Sequence, residues 1–156
     1  MSRLKAFVMG GVDGVITSFS VTAGASLMEE GMKTVAVVGF SSVLADGLSM
    51  GISEYLSSRS EASITERKGS PVVLAIICFS AFVTCGCVPL LVFLVSAGGR
   101  RLLASASFSV VELMLLGVCQ SSLTNEERIV GLSRTTLLGL LAGVTAYSVA
   151  ALVSEV

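Results

Sequence analysis

A chain of 156 residues with 53% hydrophobic and 13% charged residues, and a mean hydropathy of +0.91, cannot cover a water-facing surface, for which soluble domains use about 25% charged residues. Its net charge of -1 and pI near 5.4 supply no basic patch, so nucleic acid is excluded as a partner. The lack of histidine removes the commonest ligand for zinc, nickel and copper(II), and any imidazole proton relay.

The pattern that remains is an all-α, polytopic membrane protein, a single transmembrane domain over residues 1–156 with the lipid bilayer as its solvent. The first apolar span, about 6–27, follows Arg3 and Lys5. Ala23–Gly24–Ala25 has the small residues of a signal-peptide cleavage site, but a cleaved segment has no use for Asp13, Thr17, Ser20 and Gly24. Their i, i+4, i+7, i+11 spacing makes one polar stripe, beside which Gly10 and Gly14 form a ridge that admits a second helix.

A hinge of charge and glycine, 29–33, turns the chain into the second span, about 34–56. There Asp46, Met50 and Glu54 follow at i, i+4 and i+8 and share one helix face. A short polar connection, 57–70, carries Glu61 and Glu66 and is closed by Pro71. In the third span, about 72–97, Pro89 removes the hydrogen bond to the Cys85 carbonyl and predicts a kink. The fourth, about 102–118, is interrupted by Ser105, Ser109 and Glu112, whose spacing again makes one stripe and predicts an inward face. Residues 119–134 read as a polar loop that extends a helix in part. The fifth span, about 135–153, has a second small-residue ridge, Gly139 and Gly143, with Tyr147 one turn on and its hydroxyl expected to be buried and partnered.

Five spans put the termini on opposite sides. With the N-terminus cytoplasmic, that side holds Arg3, Lys5, Arg59, Arg67, Lys68, Arg128 and Arg134, against Lys33, Arg100 and Arg101 outside, and the positive-inside rule favours this orientation. The four cysteines, Cys78, Cys85, Cys87 and Cys119, lie in or at the end of apolar segments and read as small apolar side chains; Cys85 and Cys87, two apart, face different directions on a helix.

Asp13, Asp46, Glu54 and Glu112 lie within the spans, and no lysine or arginine does. Each charge at mid-bilayer costs about 2.5–3.5 kcal/mol on insertion scales, so protonation, hydroxyl hydrogen bonds or a bound cation must offset it. Carboxylate oxygens beside the Met50 sulfur suit a borderline divalent ion such as Fe²⁺ or Mn²⁺. Bland readings stand beside this one. Met50 alone is core packing, Glu54 or Glu112 sits at the membrane surface, and Asp46 before Gly47 marks a helix break.

The run Asp13–Gly14–Val15–Ile16–Thr17–Ser18–Phe19 through Ala23–Gly24 resembles a signature of the vacuolar iron transporter family. More specific is Ala45–Asp46–Gly47–Leu48–Ser49–Met50–Gly51 with Glu54–Tyr55–Leu56–Ser57 and Ser60–Glu61; Pro89–Leu90 and the stretch from Gly139 to Tyr147 match more weakly. The resemblance implies a five-helix protomer in a homodimer that exports Fe²⁺ or Mn²⁺ from the cytosol in exchange for protons, with no resident cofactor. By motif position Asp13 and Met50 are path ligands, and Asp46 and Glu54 belong to the same path. Thr17, Glu112 and Tyr147 line it or handle protons, and Glu61 and Glu66 mark a cytoplasmic entrance. The membrane is vacuolar or another internal one in a eukaryote, and the plasma membrane in a prokaryote.

One departure matters. Plant-type members insert a long acid- and methionine-rich cytoplasmic domain between the second and third spans, where this chain has only residues 57–70. A structural or regulatory membrane protein that no longer transports, or a carrier of another cation or small solute, therefore stays open. Enzyme chemistry is not expected, since no nucleophile–base pair or phosphate-binding loop is recognisable.

Overall fold

In hydrocarbon every backbone N–H and C=O must find its partner within the chain, and a helix achieves this segment by segment. In the computed structural model, which describes residues 2–27, 31–64, 70–124 and 127–154, the apolar stretches accordingly form five helices. They are α1 (Ser2–Ala25), α2 (Met32–Ile64), α3 (Pro71–Val95), α4 (Arg101–Thr124) and α5 (Arg128–Ser154), with one 3₁₀ turn at Gly98–Arg100 and no strand among the described residues. All five are long and apolar enough to cross a membrane, so the chain is a multi-pass membrane protein.

The first helix packs on all four others, and its closest partner is α3, the most apolar, on which α2 and α4 also pack. The α5 helix packs on α1 and α4, whereas α2 touches only α1 and α3 among the described residues. Glycines set the closest approaches. A Cβ at Gly10 or Gly14 would run into the backbone carbonyls of Cys78 and Phe82, so the ridge read from the sequence seats on α3. Gly47 of α2 faces the Phe82 ring from the other side, 3.2 Å from where its Cβ would be. The two Asp-Gly pairs, which run in opposite directions, thus converge on one residue of α3.

Three apolar clusters fill the interior. Ala6, Leu74 and Cys78 form one, Val15, Leu113 and Leu116 a second, and Val43, Phe82 and Leu90 a third. Cys85 packs on the second and Cys87 on the third, which fits their opposite facing; all four cysteines are free thiols.

Several sequence expectations are corrected. Residues 119–134 are mostly helix, because Gly117 and Gly131 let α4 and α5 come together: a Cβ at Gly117 would lie 2.9 Å from the Leu132 Cα. The fourth helix therefore runs to Thr124 instead of ending near 118, and the fifth starts at Arg128 instead of 135. Likewise α2 continues to Ile64, well beyond 56. Pro89 lies inside α3, and its carbonyl accepts a hydrogen bond from the Ser105 hydroxyl at 3.0 Å. The Gly139–Gly143 ridge admits no helix backbone; the side chains of Leu113 and Phe19 fill it.

The fourth-helix stripe does face inward at Ser105 and Ser109, which are 0% and 2% exposed. Ser105 also meets Thr22 of α1 at 3.2 Å, so one buried hydroxyl pair ties α1, α3 and α4 together. Gly14→Ala would press a methyl group on the Phe82 carbonyl, and its expected cost is about 1–3 kcal/mol, the usual range for overpacking. Thermal unfolding of the detergent-solubilised protein measures it, and an unchanged midpoint would contradict the close approach.

Candidate functional site

The seating of Gly14 and Gly47 on α3 decides where the neighbouring acids point. One residue is 100° on a helix, so Asp13 and Asp46 are carried off the contact and onto the seam between α1 and α2. Both are exposed in the isolated chain, and Asp46 lies within electrostatic reach of Asp13. One turn beyond Asp46, Met50 turns inward, half-buried against the Ala6–Cys78 and Val43–Phe82 clusters.

Asp13 and Met50 share a groove of about 210 Å³ with Val8, Met9, Val12 and Gln120. It offers one carboxylate, two thioethers and an amide, a mixed oxygen and sulfur donor set of the kind borderline divalent ions accept. Among the described residues no group of three or more His, Cys, Asp or Glu side chains comes together as a metal cage, so this groove supplies few ligands per chain. A second groove, about 280 Å³, lies farther along the same seam and is lined by Ser20, Val21, Gly24 and Ala25 with Thr34, Val35 and Val38. The polar stripe of α1 thus follows the seam, with Asp13 in one groove, Ser20 and Gly24 in the other and half-buried Thr17 between them in sequence.

Glu54 sits one turn beyond Met50 on α2 and accepts a hydrogen bond from Ser58 at 2.8 Å. Because α2 runs on to Ile64, Glu54 is in the body of the helix, and Glu61 lies two turns further along it. Glu66 lies outside the described residues. Glu112 is placed elsewhere, on α4 one turn from Leu116, within electrostatic reach of Cys85. Its Oε2 is enclosed and makes no hydrogen bond within the chain, as are Thr136 Oγ1 on α5 and Ser18 Oγ on α1.

Tyr147 is not brought to the groove. Phe19 fills the space at Gly143, and Gly24 faces Ala150, which sets Tyr147 near the level of Ala23, about 15 Å along α1 from Asp13 at 1.5 Å per residue. It is 41% exposed in the single chain, not the buried hydroxyl expected from its mid-span position.

Met9 and Gln120 are the groove residues with donor atoms that sequence reading passed over. Met9 was legible, one turn before Asp13 on the same face. Gln120 was hidden by the reading of 119–134 as a loop; once α4 continues, it is one more inward position. Because Met50 packs on two clusters, Met50→Leu is expected to cost under about 1.5 kcal/mol of stability and Met50→Ala about 2 kcal/mol or more. Chemical denaturation reads the difference, and equal effects would deny Met50 its packing role.

Comparison with known proteins adds to this geometry. The sequence profile of the VIT family matches residues 4–70 and 61–151, two stretches that meet in the connection between α2 and α3. A vacuolar iron transporter of Toxoplasma gondii is 40% identical over 63 residues, 40% of this chain and 21% of that protein. One from Plasmodium falciparum is 34% identical over 59 residues, 38% of this chain and 22% of the relative. The match to these curated relatives spans about a fifth of their length.

Proposed function

The chain belongs to the VIT family, as a short member without the inserted domain between α2 and α3, and from that premise we propose that it carries divalent iron or manganese out of the cytosol in exchange for protons. The observation that carries the reading is the α1–α2 seam. The polar stripe of α1 follows it, and Asp13 and Met50 meet in one of its grooves. Asp13 supplies the charge that draws a cation in, and the Met50 thioether favours Fe²⁺ or Mn²⁺ over harder ions. A carboxyl in this setting holds either a cation or a proton, and alternating between them is the simplest form of exchange. Asp46, Glu54 and Thr17 extend the polar track along the seam, and Glu61 and Glu66 follow towards the cytoplasmic mouth when the N-terminus is cytoplasmic. Glu112 and Tyr147, away from the groove, are left to proton handling or to a stretch of the path farther along. The membrane is a vacuolar or other internal one, or the plasma membrane of a prokaryote.

Two acids on an exposed helix face cannot rest against hydrocarbon. A second copy of the chain over the α1–α2 seam encloses them, so the working unit in this proposal is a homodimer with the path along its axis. The short connection between α2 and α3 favours one rival, a protein that keeps the fold without transporting.

Vesicles containing the purified protein separate the two. Fe²⁺ and Mn²⁺ uptake is expected, greater with an opposing pH gradient, and Asp13→Asn is expected to lower the initial rate at least about tenfold, the factor that 1.4 kcal/mol represents. No metal flux in the wild type supports the rival, and flux unchanged in Asp13→Asn shows that the path lies elsewhere.

A further inference from the structure

Gln120 reaches the Asp13–Met50 groove from α4, the one residue there that belongs to neither α1 nor α2. Its Oε1 lies 3.0 Å from the Thr135 hydroxyl of α5, and the same hydroxyl lies 2.9 Å from the Gly131 carbonyl one turn earlier on its own helix. A threonine hydroxyl has one hydrogen. If it goes to Gly131, Thr135 Oγ1 is an acceptor and can meet only the NH₂ end of the amide, which turns the Gln120 carbonyl towards the groove. If it goes to Gln120, the amide presents its NH₂ group instead, a donor suited to the Asp13 carboxylate. Both arrangements satisfy Thr135, and they differ in the charge they favour beside Asp13.

We propose that Gln120, steered by Thr135, is a further metal-contacting and specificity-determining residue of this groove: its amide carbonyl turns to a bound divalent cation and its NH₂ group to Asp13 when the cation leaves. The inference rests on the assignment of the Asp13–Met50 groove as a metal site. It gives the α4–α5 hairpin a part in selecting the ion, since Gln120 is held from the hairpin's own interior. A neutral oxygen ligand adds affinity without adding charge, so the groove tells an ion that accepts thioether and amide ligands from a strongly hydrated one such as Mg²⁺.

Titration of the detergent-solubilised protein with Mn²⁺, and with Mg²⁺ in competition, tests this. Gln120→Leu is expected to weaken Mn²⁺ binding about tenfold to a hundredfold, the usual effect of losing a partner that orients or tunes a metal site. Thr135→Val is expected to act in the same direction and Thr135→Ser to restore binding. Gln120→Glu keeps an oxygen for the metal and accepts from Thr135, so it is expected to hold Mn²⁺ at least as tightly while losing discrimination against Mg²⁺. Equal losses in Gln120→Leu and Gln120→Glu would reveal a packing role and overturn the inference, as would wild-type affinity in Gln120→Leu. Failure of the wild type to bind Mn²⁺ saturably would instead overturn the assignment of the groove itself.

Discussion

Phe82 of α3 is the point on which this structure turns. Gly14 of α1 lies on its backbone carbonyl and Gly47 of α2 on its ring and on Val83 beside it, so two helices that run in opposite directions meet at one level of α3. Each glycine is preceded by an aspartate. Close seating of the glycine leaves no room for the acid to turn into the core, and so both carboxylates emerge beside the contact on the same seam. The Asp-Gly pairs are a matched device of packing and placement, in which removing a side chain at one position aims the side chain at the next.

The remaining polar groups of the membrane region divide into those that hold helices together and those left without a partner. Thr22, Ser105 and the Pro89 carbonyl make a buried link among α1, α4 and α3. Thr84, Ser107, Ser109, Thr145 and Ser148 return their hydrogens to carbonyls of their own helices, which lets hydroxyls sit in apolar surroundings at little cost. Glu54 has such a local remedy in the Ser58 hydroxyl, but no carboxylate of the spans has a cationic partner within them, because no lysine or arginine occurs there. Exposed acids within apolar spans are the mark of a surface meant to be enclosed, and the proposed dimer and bound cation both answer that need.

How much of this was legible depended on whether the physics was local. Five apolar runs long enough to cross a bilayer are read directly from composition, and the Asp13–Gly24 stripe from helical periodicity. The pairing of Asp13 with Met50 came from family resemblance and not from spacing, since they are on different helices and only the shared seat on Phe82 brings them to one groove. The 119–134 segment was misread because its polar residues suggest a loop, while the close approach of Gly117 and Gly131, a tertiary effect, draws it into the helical hairpin. That one misreading concealed Gln120. Tyr147 was expected to be buried from its position along the span, but depth along a helix does not fix its facing, and α5 packs through its other side on Phe19 and Leu113.

The central claim is that the Asp13–Met50 groove holds a divalent cation. Anomalous diffraction at the manganese edge, from crystals of the purified protein grown with Mn²⁺, tests it most directly. The account predicts a peak within bonding distance of both the Asp13 carboxylate and the Met50 sulfur. Saturable Mn²⁺ binding with the peak elsewhere, or with none in this groove, would contradict it.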